Sequence, residues 1–117
     1  MDLRELVLAL VRRDALRARE WVQAALAEGT DWSAVEEPGG LDPTERAVAA
    51  GVVELLADRG HVVPPRWTAS VPAAPTQLFL VRSAETMPRL RRSCLEDGPW
   101  PLRRRGLLAP PDFLTQA

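Results

Sequence analysis

The clearest structural signal in the chain is the segment 42–60, Asp-Pro-Thr-Glu-Arg-Ala-Val-Ala-Ala-Gly-Val-Val-Glu-Leu-Leu-Ala-Asp-Arg-Gly. Asp42 is a good N-cap residue, Pro43 fits the first helical position, and Glu45 completes the pattern of a capping box. Gly60 is a typical helix stop. The segment therefore predicts an α-helix over 43–59. Its apolar face includes small residues that let another helix approach closely, and consists of Ala47, Val48, Gly51, Val52, Leu55 and Leu56.

The region before it, 2–28, has the apolar spacing of amphipathic helices. Asp14 can cap a second helix, and Gly29 can stop it. One helix or two helices with a break near Arg13 both fit, and the cap favours two. Residues 30–41 have the composition of a loop.

The second half of the chain has a different composition, with many more prolines. Residues 61–82 contain four prolines, which predicts an extended strap with Trp67 packed on the helices, and 77–82 fits one short extended segment. A capped helix is expected to start near Thr86 and to end before Gly98. One or two helical turns follow over 99–105, and an apolar tail runs over 107–117.

Composition places these elements in one domain, 1–117, with an acidic helical half (1–60), the strap (61–82) and an arginine-rich helix with the apolar tail (83–117). Aromatic residues make up only 5% of the chain and Tyr is absent, so the core has to be built from Leu, Val and Ala. Such a core favours helix on helix over a β-sandwich. We therefore expect an all-α fold, a small bundle of four or five helices with a proline-rich strap.

Several kinds of chemistry are poorly supported by the residue inventory. All fifteen basic residues are Arg, so Schiff-base chemistry and a P-loop lysine are excluded. His61 and Cys94 occur once each, which is too few ligands for a zinc site. Cys94 falls on the apolar face of its predicted helix, where an inert buried thiol is usual. We expect no catalytic residues, no metal site and no cofactor.

Charge is distributed unevenly along the chain. Residues 1–60 hold seven Arg against twelve acids, a balance of −5, whereas residues 82–105 hold seven Arg against three acids, a balance of +4. Three interpretations stay open: the arginines solvate a helix face and pair with the acidic half, they meet a protein partner, or they meet nucleic acid. A tryptophan exposed in loop-like sequence, as at Trp32 or Trp100, would mark an interface. The predicted partner-binding residues combine arginines with apolar anchors: Arg89, Arg92, Trp100, Arg103, Arg104, Arg105, Leu107, Leu108 and Phe113.

Three motifs in the region from about Leu41 to Leu114 are shared with a known group of proteins. They are Val-Pro-Pro-Arg-Trp-Thr, Leu-Phe-Leu-Val and the closing Pro-Leu-Arg-Arg-Arg-Gly-Leu-Leu-Ala-Pro-Pro-Asp-Phe-Leu. In these three motifs, the chain resembles small antitoxin-like proteins of actinobacterial and Deinococcus–Thermus type, which are found beside nucleotidyltransferase-like partners. The resemblance implies a non-enzymatic protein that neutralises such a toxin by direct binding. A nucleic-acid-binding accessory or regulatory protein is the alternative, although an N-terminal DNA-binding module is not evident.

The cellular location follows from two features. The apolar run 7–11 ends at Arg12 and is far too short to cross a membrane. A single cysteine cannot form an internal disulfide. We expect a cytoplasmic protein with no membrane contact.

Overall fold

The computed structural model describes residues 2–115, and within them the chain is mostly helical. Its helices are α1 (Leu3–Val11), α2 (Ala15–Ala27), α3 (Pro43–Arg59), α4 (Arg66–Ala69), α5 (Pro88–Asp97) and α6 (Trp100–Arg103), with a 3-10 helix at Arg82–Glu85. Two strands, β1 (Leu78–Phe79) and β2 (Leu107–Leu108), complete the fold. Four or five helices were expected, and the count rises to six within 2–115 because the one-turn helix α4 lies in the region expected to be an extended strap.

The central element is α3, which confirms the prediction for 43–59. The Asp42 carboxylate accepts from the backbone N–H of Glu45 at 2.8 Å, and the Glu45 side chain accepts from the N–H of Asp42 at 2.9 Å. The two bonds form the predicted capping box. Every residue from Ala47 to Val53 is buried, so α3 is covered on all sides. It contacts α1, α4 and α6.

The end of α3 differs in detail from the prediction that Gly60 stops it. Gly60 has a φ of −86°, which any residue can adopt, whereas His61 takes the left-handed conformation with φ 57°. The N–H of Val62 closes the turn by bonding to the carbonyl of Ala57 at 2.9 Å. A Cβ at Gly60 would lie 3.3 Å from the Leu56 carbonyl oxygen, a tight contact that a small local shift would relieve.

The N-terminal region forms a hairpin of two helices, which resolves the alternative left open by the sequence. Arg13 separates them with a φ of 59°, and the Asp14 carboxylate accepts from the N–H of Arg17 at 3.2 Å as the cap of α2. Both helices contribute buried apolar faces to the main core, and α1 contacts α3.

The proline-rich region 61–82 is not one continuous extended strap. The one-turn helix α4 interrupts it, and β1 pairs in parallel with β2, Leu78 opposite Leu107. The two strands have two residues each, so the described chain stays mostly helical and is compatible with the expected small helical bundle. Trp67 packs against the core as predicted, and its indole N–H donates to the Val35 carbonyl at 2.8 Å.

Helix α5 starts later than predicted. Thr86 does not cap it; Met87 occupies the N-cap position without a side-chain hydrogen bond, and Pro88 opens the first turn. The physical reason is that the 3-10 helix Arg82–Glu85 precedes this point, and the Thr86 hydroxyl donates back to the carbonyl of Ser83 at 3.4 Å. Helix α6 and the left-handed Gly106, with φ 75°, agree with the predicted short helical stretch and its stop.

A second, smaller apolar cluster is formed by Ala84, Cys94 and Leu108. Cys94 is fully buried there, and burial raises the pKa of its thiol. A thiol of this kind is unreactive. Residues 116 and 117 of the predicted apolar tail lie outside the described residues. In the part of the chain that the structure describes, no helix is long and apolar enough to cross a membrane.

Candidate protein interface

The nine predicted partner-binding residues divide into two groups by burial. Four belong to the interior: Arg105, Leu107, Leu108 and Phe113, none of which is more than 8% exposed. In the folded chain these four side chains stabilise the core and offer no surface to a partner, which corrects the expectation that the tail supplies the apolar anchors. The other five remain accessible to differing degrees: Arg89, Arg92, Trp100, Arg103 and Arg104.

Arg105 is held by a buried ion pair with Glu54 of α3. Its guanidinium donates to both carboxylate oxygens of Glu54, the longer bond being 3.2 Å. It also donates to the backbone carbonyls of Pro101, at 3.1 Å, and Thr68, at 2.7 Å. The side chain is only 1% exposed. A buried guanidinium in such a bidentate arrangement fixes α6 and α4 against α3.

Arg104 binds the same carboxylate, that of Glu54, from the solvent side. One of its guanidinium nitrogens donates to both oxygens of Glu54, at 2.8 and 3.0 Å. Burial by itself would raise the pKa of Glu54, but the hydrogen bonds from Arg105 and Arg104 outweigh it and hold the pKa below its ordinary value. Glu54 is therefore ionised at neutral pH. Pairing with the acidic half, one of the three interpretations of the arginines, is what the structure shows for Arg104 and Arg105.

Trp100 projects from the start of α6 and is 63% exposed. The guanidinium of Arg103 lies over its ring, 5.6 Å from the centroid, and also donates to the backbone carbonyl of Glu96. Stacking on a guanidinium restricts the indole without covering it. By contrast Trp32, the other tryptophan in loop-like sequence, is buried.

The surroundings of Trp100 form a shallow depression between α3, α6 and the chain that follows α3. We call this the Trp100 surface, and it consists of Glu54, Asp58, Val62, Pro64, Trp100, Pro101 and Arg104. Its neighbour Val63 is 79% exposed and Val62 is 39% exposed. The surface combines an aromatic anchor, aliphatic side chains and fixed charges, which is the composition of an interface core with its rim.

Val62 and Pro64 were missed as interface candidates from the sequence, which assigned them to a strap. The available signal was the adjacency of two valines and two prolines immediately after a helix end. Prolines keep this segment out of a helix, and the left-handed His61 turns it away from the axis of α3. Only the position of α6 showed that the segment lies beside Trp100.

Arg89 and Arg92 lie on α5 and do not line the Trp100 surface. Both are exposed, and among the described residues neither forms an ion pair. Their neighbour Arg91 covers the ring of Phe79 at 4.6 Å from its centroid. Arg89 and Arg92 share a face of α5 with Glu96. Unlike Arg104 and Arg105, neither is bound to a carboxylate among the described residues.

Within residues 2–115 no group of three or more His, Cys, Asp or Glu side chains could hold a metal ion. His61 is exposed at the end of α3, whereas Cys94 is buried in the second apolar cluster. A nucleophile has to reach a substrate, and a fully buried thiol does not.

Comparison with known proteins gives no assignment: no family model matches the chain, and no curated protein and no solved structure matches it.

Proposed function

We propose that the protein is a non-enzymatic protein–protein interaction module that contacts its partner through the Trp100 surface. The observation that carries the proposal is the exposed indole of Trp100, 63% accessible in a surrounding that is fixed and partly apolar. Tryptophan and arginine are the residues most enriched among those that dominate binding energy at protein interfaces. An indole left this exposed beside Val62 and Pro64 has apolar area to bury on a partner.

The arginine side chains at the Trp100 surface are held in place by other groups of the protein, which supports the same function. Arg104 is held by both oxygens of Glu54, and Arg103 is held by the Glu96 carbonyl and the ring of Trp100. Binding to a surface whose side chains are already in place loses less conformational entropy than binding to a mobile one. The arginines thus contribute by holding Trp100 and its rim, while the indole supplies apolar contact area.

The partner in this proposal is a nucleotidyltransferase-like toxin, and the protein is its antitoxin in the cytoplasm. This finer part rests on the resemblance carried by the motifs between Leu41 and Leu114. An interface that occupies one face of a small domain is sufficient for neutralisation by direct binding, and it requires neither a cofactor nor a metal.

The test compares Trp100→Ala with a matched variant, Leu16→Ala. Leu16 is 66% exposed on α2 and lies outside the Trp100 surface, so its truncation removes a similarly exposed apolar side chain elsewhere. Each variant is coexpressed with the tagged product of the neighbouring gene, and copurification and growth protection are measured. We expect Trp100→Ala to weaken binding about thirtyfold, the effect of losing about 2 kcal/mol at a dominant interface residue.

Leu16→Ala should bind and protect like the unmodified protein, and both variants should keep the helical circular-dichroism signal. Full copurification and protection by folded Trp100→Ala would place the interface elsewhere. A neighbouring gene product that binds no form of the protein would contradict the antitoxin part of the proposal.

A second function, nucleic-acid binding, is favoured by one observation: Arg89 and Arg92, on one face of α5, are exposed and form no ion pair among the described residues. Phosphate contacts release counterions, so binding through this face would weaken steeply with salt. Arg89→Gln with Arg92→Gln should then lower both the affinity for a DNA or RNA duplex and its salt dependence. We expect only weak, non-specific binding at physiological salt, and sequence-specific submicromolar binding there would reverse the order of the two proposals.

A further inference from the structure

The segment 110–115, Pro-Pro-Asp-Phe-Leu-Thr, lies beside the α1–α2 hairpin, with a cavity of about 370 Å³ between them. Every residue of the segment except Pro111 lines this cavity, and the side chains that face it include Leu10, Val22 and Leu80. Atoms that border empty space lose the van der Waals contacts of close packing. The segment is therefore docked on the hairpin with incomplete packing behind it.

The backbone of this segment is hydrogen-bonded only to itself. The N–H of Phe113 bonds to the carbonyl of Pro110, and that of Thr115 to the carbonyl of Asp112, each at 3.0 Å. Among the described residues, no backbone group of 110–115 bonds to the backbone of another element. Pro110 and Pro111 have no N–H, so the pairing of β1 with β2 cannot continue into the segment. Releasing the segment thus breaks no backbone hydrogen bond between elements.

Side chains hold the segment in place instead. Phe113 is 8% exposed and belongs to the main core cluster, and Leu114 packs against that cluster while staying partly exposed. Arg59, the last residue of α3, donates to the carbonyls of Phe113 and Pro111, and its guanidinium attracts the Asp112 carboxylate. Within residues 2–115, hydrogen bonds from other side chains to this segment are absent. Docking depends on apolar contact and one guanidinium.

The docked conformation is strained at Leu114. Its φ of 60° lies in the left-handed region, which a non-glycine residue rarely adopts. Such a conformation costs free energy and persists only while its surroundings hold it. The helices do not depend on the segment in the same way, because α1 contacts both α2 and α3 directly. Opening would release the strain and leave these helix contacts in place.

We propose that segment 110–115 is a latch that opens as a unit while α1, α2 and α3 stay folded, and that Arg59 retains it in the closed state. In the open state Phe113 leaves the core and uncovers Leu10, Val22 and Leu80. Segments with few buried apolar contacts open locally at a lower free energy than the whole fold. The latch gives this face of the hairpin two states, covered and uncovered.

The experiment is amide hydrogen exchange of the complete protein, followed by nuclear magnetic resonance at urea concentrations below the unfolding transition. It compares the N–H of Phe113 with the N–H groups of α3 between Ala47 and Val53. Sensitivity to urea scales with the surface that an opening exposes, and six residues expose little. We expect exchange at Phe113 to be faster than in α3 and nearly independent of urea. Exchange with the rate and urea dependence of α3, or as fast as in an unfolded peptide, would overturn the proposal.

The variant Asp42→Ala separates local opening from global unfolding. The cap at Asp42 is intact whether the latch is open or closed, so its loss changes only the equilibrium with the unfolded chain. Exchange in α3 should accelerate about fivefold, whereas exchange at Phe113 should not change. Equal acceleration at both places would show that the segment opens only when the whole chain unfolds, and the proposal would fail.

The variant Arg59→Gln tests the retaining side chain. Exchange at Phe113 should rise about tenfold, the effect of losing a hydrogen bond from a charged group. Arg12→Gln is the matched control, because Arg12 is exposed on the hairpin and does not line the cavity. Equal exchange at Phe113 in the two variants would contradict the role of Arg59.

These measurements stay decisive if Arg59→Gln does not fold, because the unmodified protein and Asp42→Ala already separate local from global opening. The cavity behind the latch shares no residue with the Trp100 surface, and the readout uses no partner. Neither result therefore depends on the function proposed for that surface.

Discussion

Replacing Glu54 by Gln tests the buried ion pair on which the position of α6 depends. The Arg105 guanidinium is 1% exposed, and the Glu54 side chain is 11% exposed. Removing one partner of a buried pair leaves an uncompensated charge and costs about 3–5 kcal/mol. Two carbonyls, of Pro101 and Thr68, still accept from Arg105 in the variant, so the lower end of that range, about 3 kcal/mol, is expected.

The assay is chemical denaturation followed by circular dichroism, with Glu37→Gln as the matched control. Glu37 pairs with Arg46 at 3.1 Å, but the two side chains are 36% and 42% exposed. Losing an exposed pair costs at most about 1 kcal/mol. If Glu54→Gln destabilises no more than Glu37→Gln, the carboxylate of Glu54 is not the counter-charge of Arg105 and the argument fails.

A double-mutant cycle assigns the effect to the pair itself. With Arg105→Met already present, no buried charge remains for Glu54 to compensate. The combined cost of the two substitutions should therefore be smaller than the sum of the single costs by about 2–3 kcal/mol. Additive costs would show that each residue stabilises the fold through other contacts.

Three further predictions follow from individual residues. Asp42→Ala should lower the free energy of unfolding by about 1 kcal/mol, because it removes the cap of α3, and a change within about 0.2 kcal/mol would show that the cap contributes nothing. Gly98→Ala should cost about 3 kcal/mol or more, because its Cβ would lie 2.6 Å and 2.7 Å from the carbonyl oxygens of Cys94 and Ala109. Gly39→Ala, with no atom within 4 Å of its Cβ, is the control and should stay within about 0.5 kcal/mol in the same thermal melts. The lowered pKa of Glu54 predicts a stability contribution that is complete above the unfolded value of about 4.3 and is lost as the pH falls through the folded pKa. Glu54→Gln should flatten the acid limb of the stability profile, and an unchanged limb would contradict the assignment.

Local signals made α3 and the hairpin predictable. The cap at Asp42 and the break after α1 depend on residues within about one helical turn of each other, so the sequence contains the whole determinant. Thr86 shows where such reasoning fails. It has a good capping side chain, but the preceding 3-10 helix and Pro88 move the start of α5 two residues onward.

The candidate interface was predictable only in part. Trp100 was chosen because it falls in loop-like sequence, and it is exposed. Val62 and Pro64 were not chosen, because nothing in their own segment indicates that α6 packs beside them. Leu107 and Leu108 were chosen as apolar anchors for a partner, but their apolar character is used by the core, where β2 pairs with β1.

The sequence by itself determined the helical character of the chain and the bounds of α3, and the cap at Asp14 favoured a two-helix hairpin. The tertiary structure alone decided the roles of the three consecutive arginines 103–105: one stacks on Trp100, one covers Glu54 and one is buried against it. Helix caps and apolar periodicity act between near neighbours in the chain. The burial of Arg105 depends on a carboxylate 51 residues away, and no local pattern records which of three identical side chains will meet it.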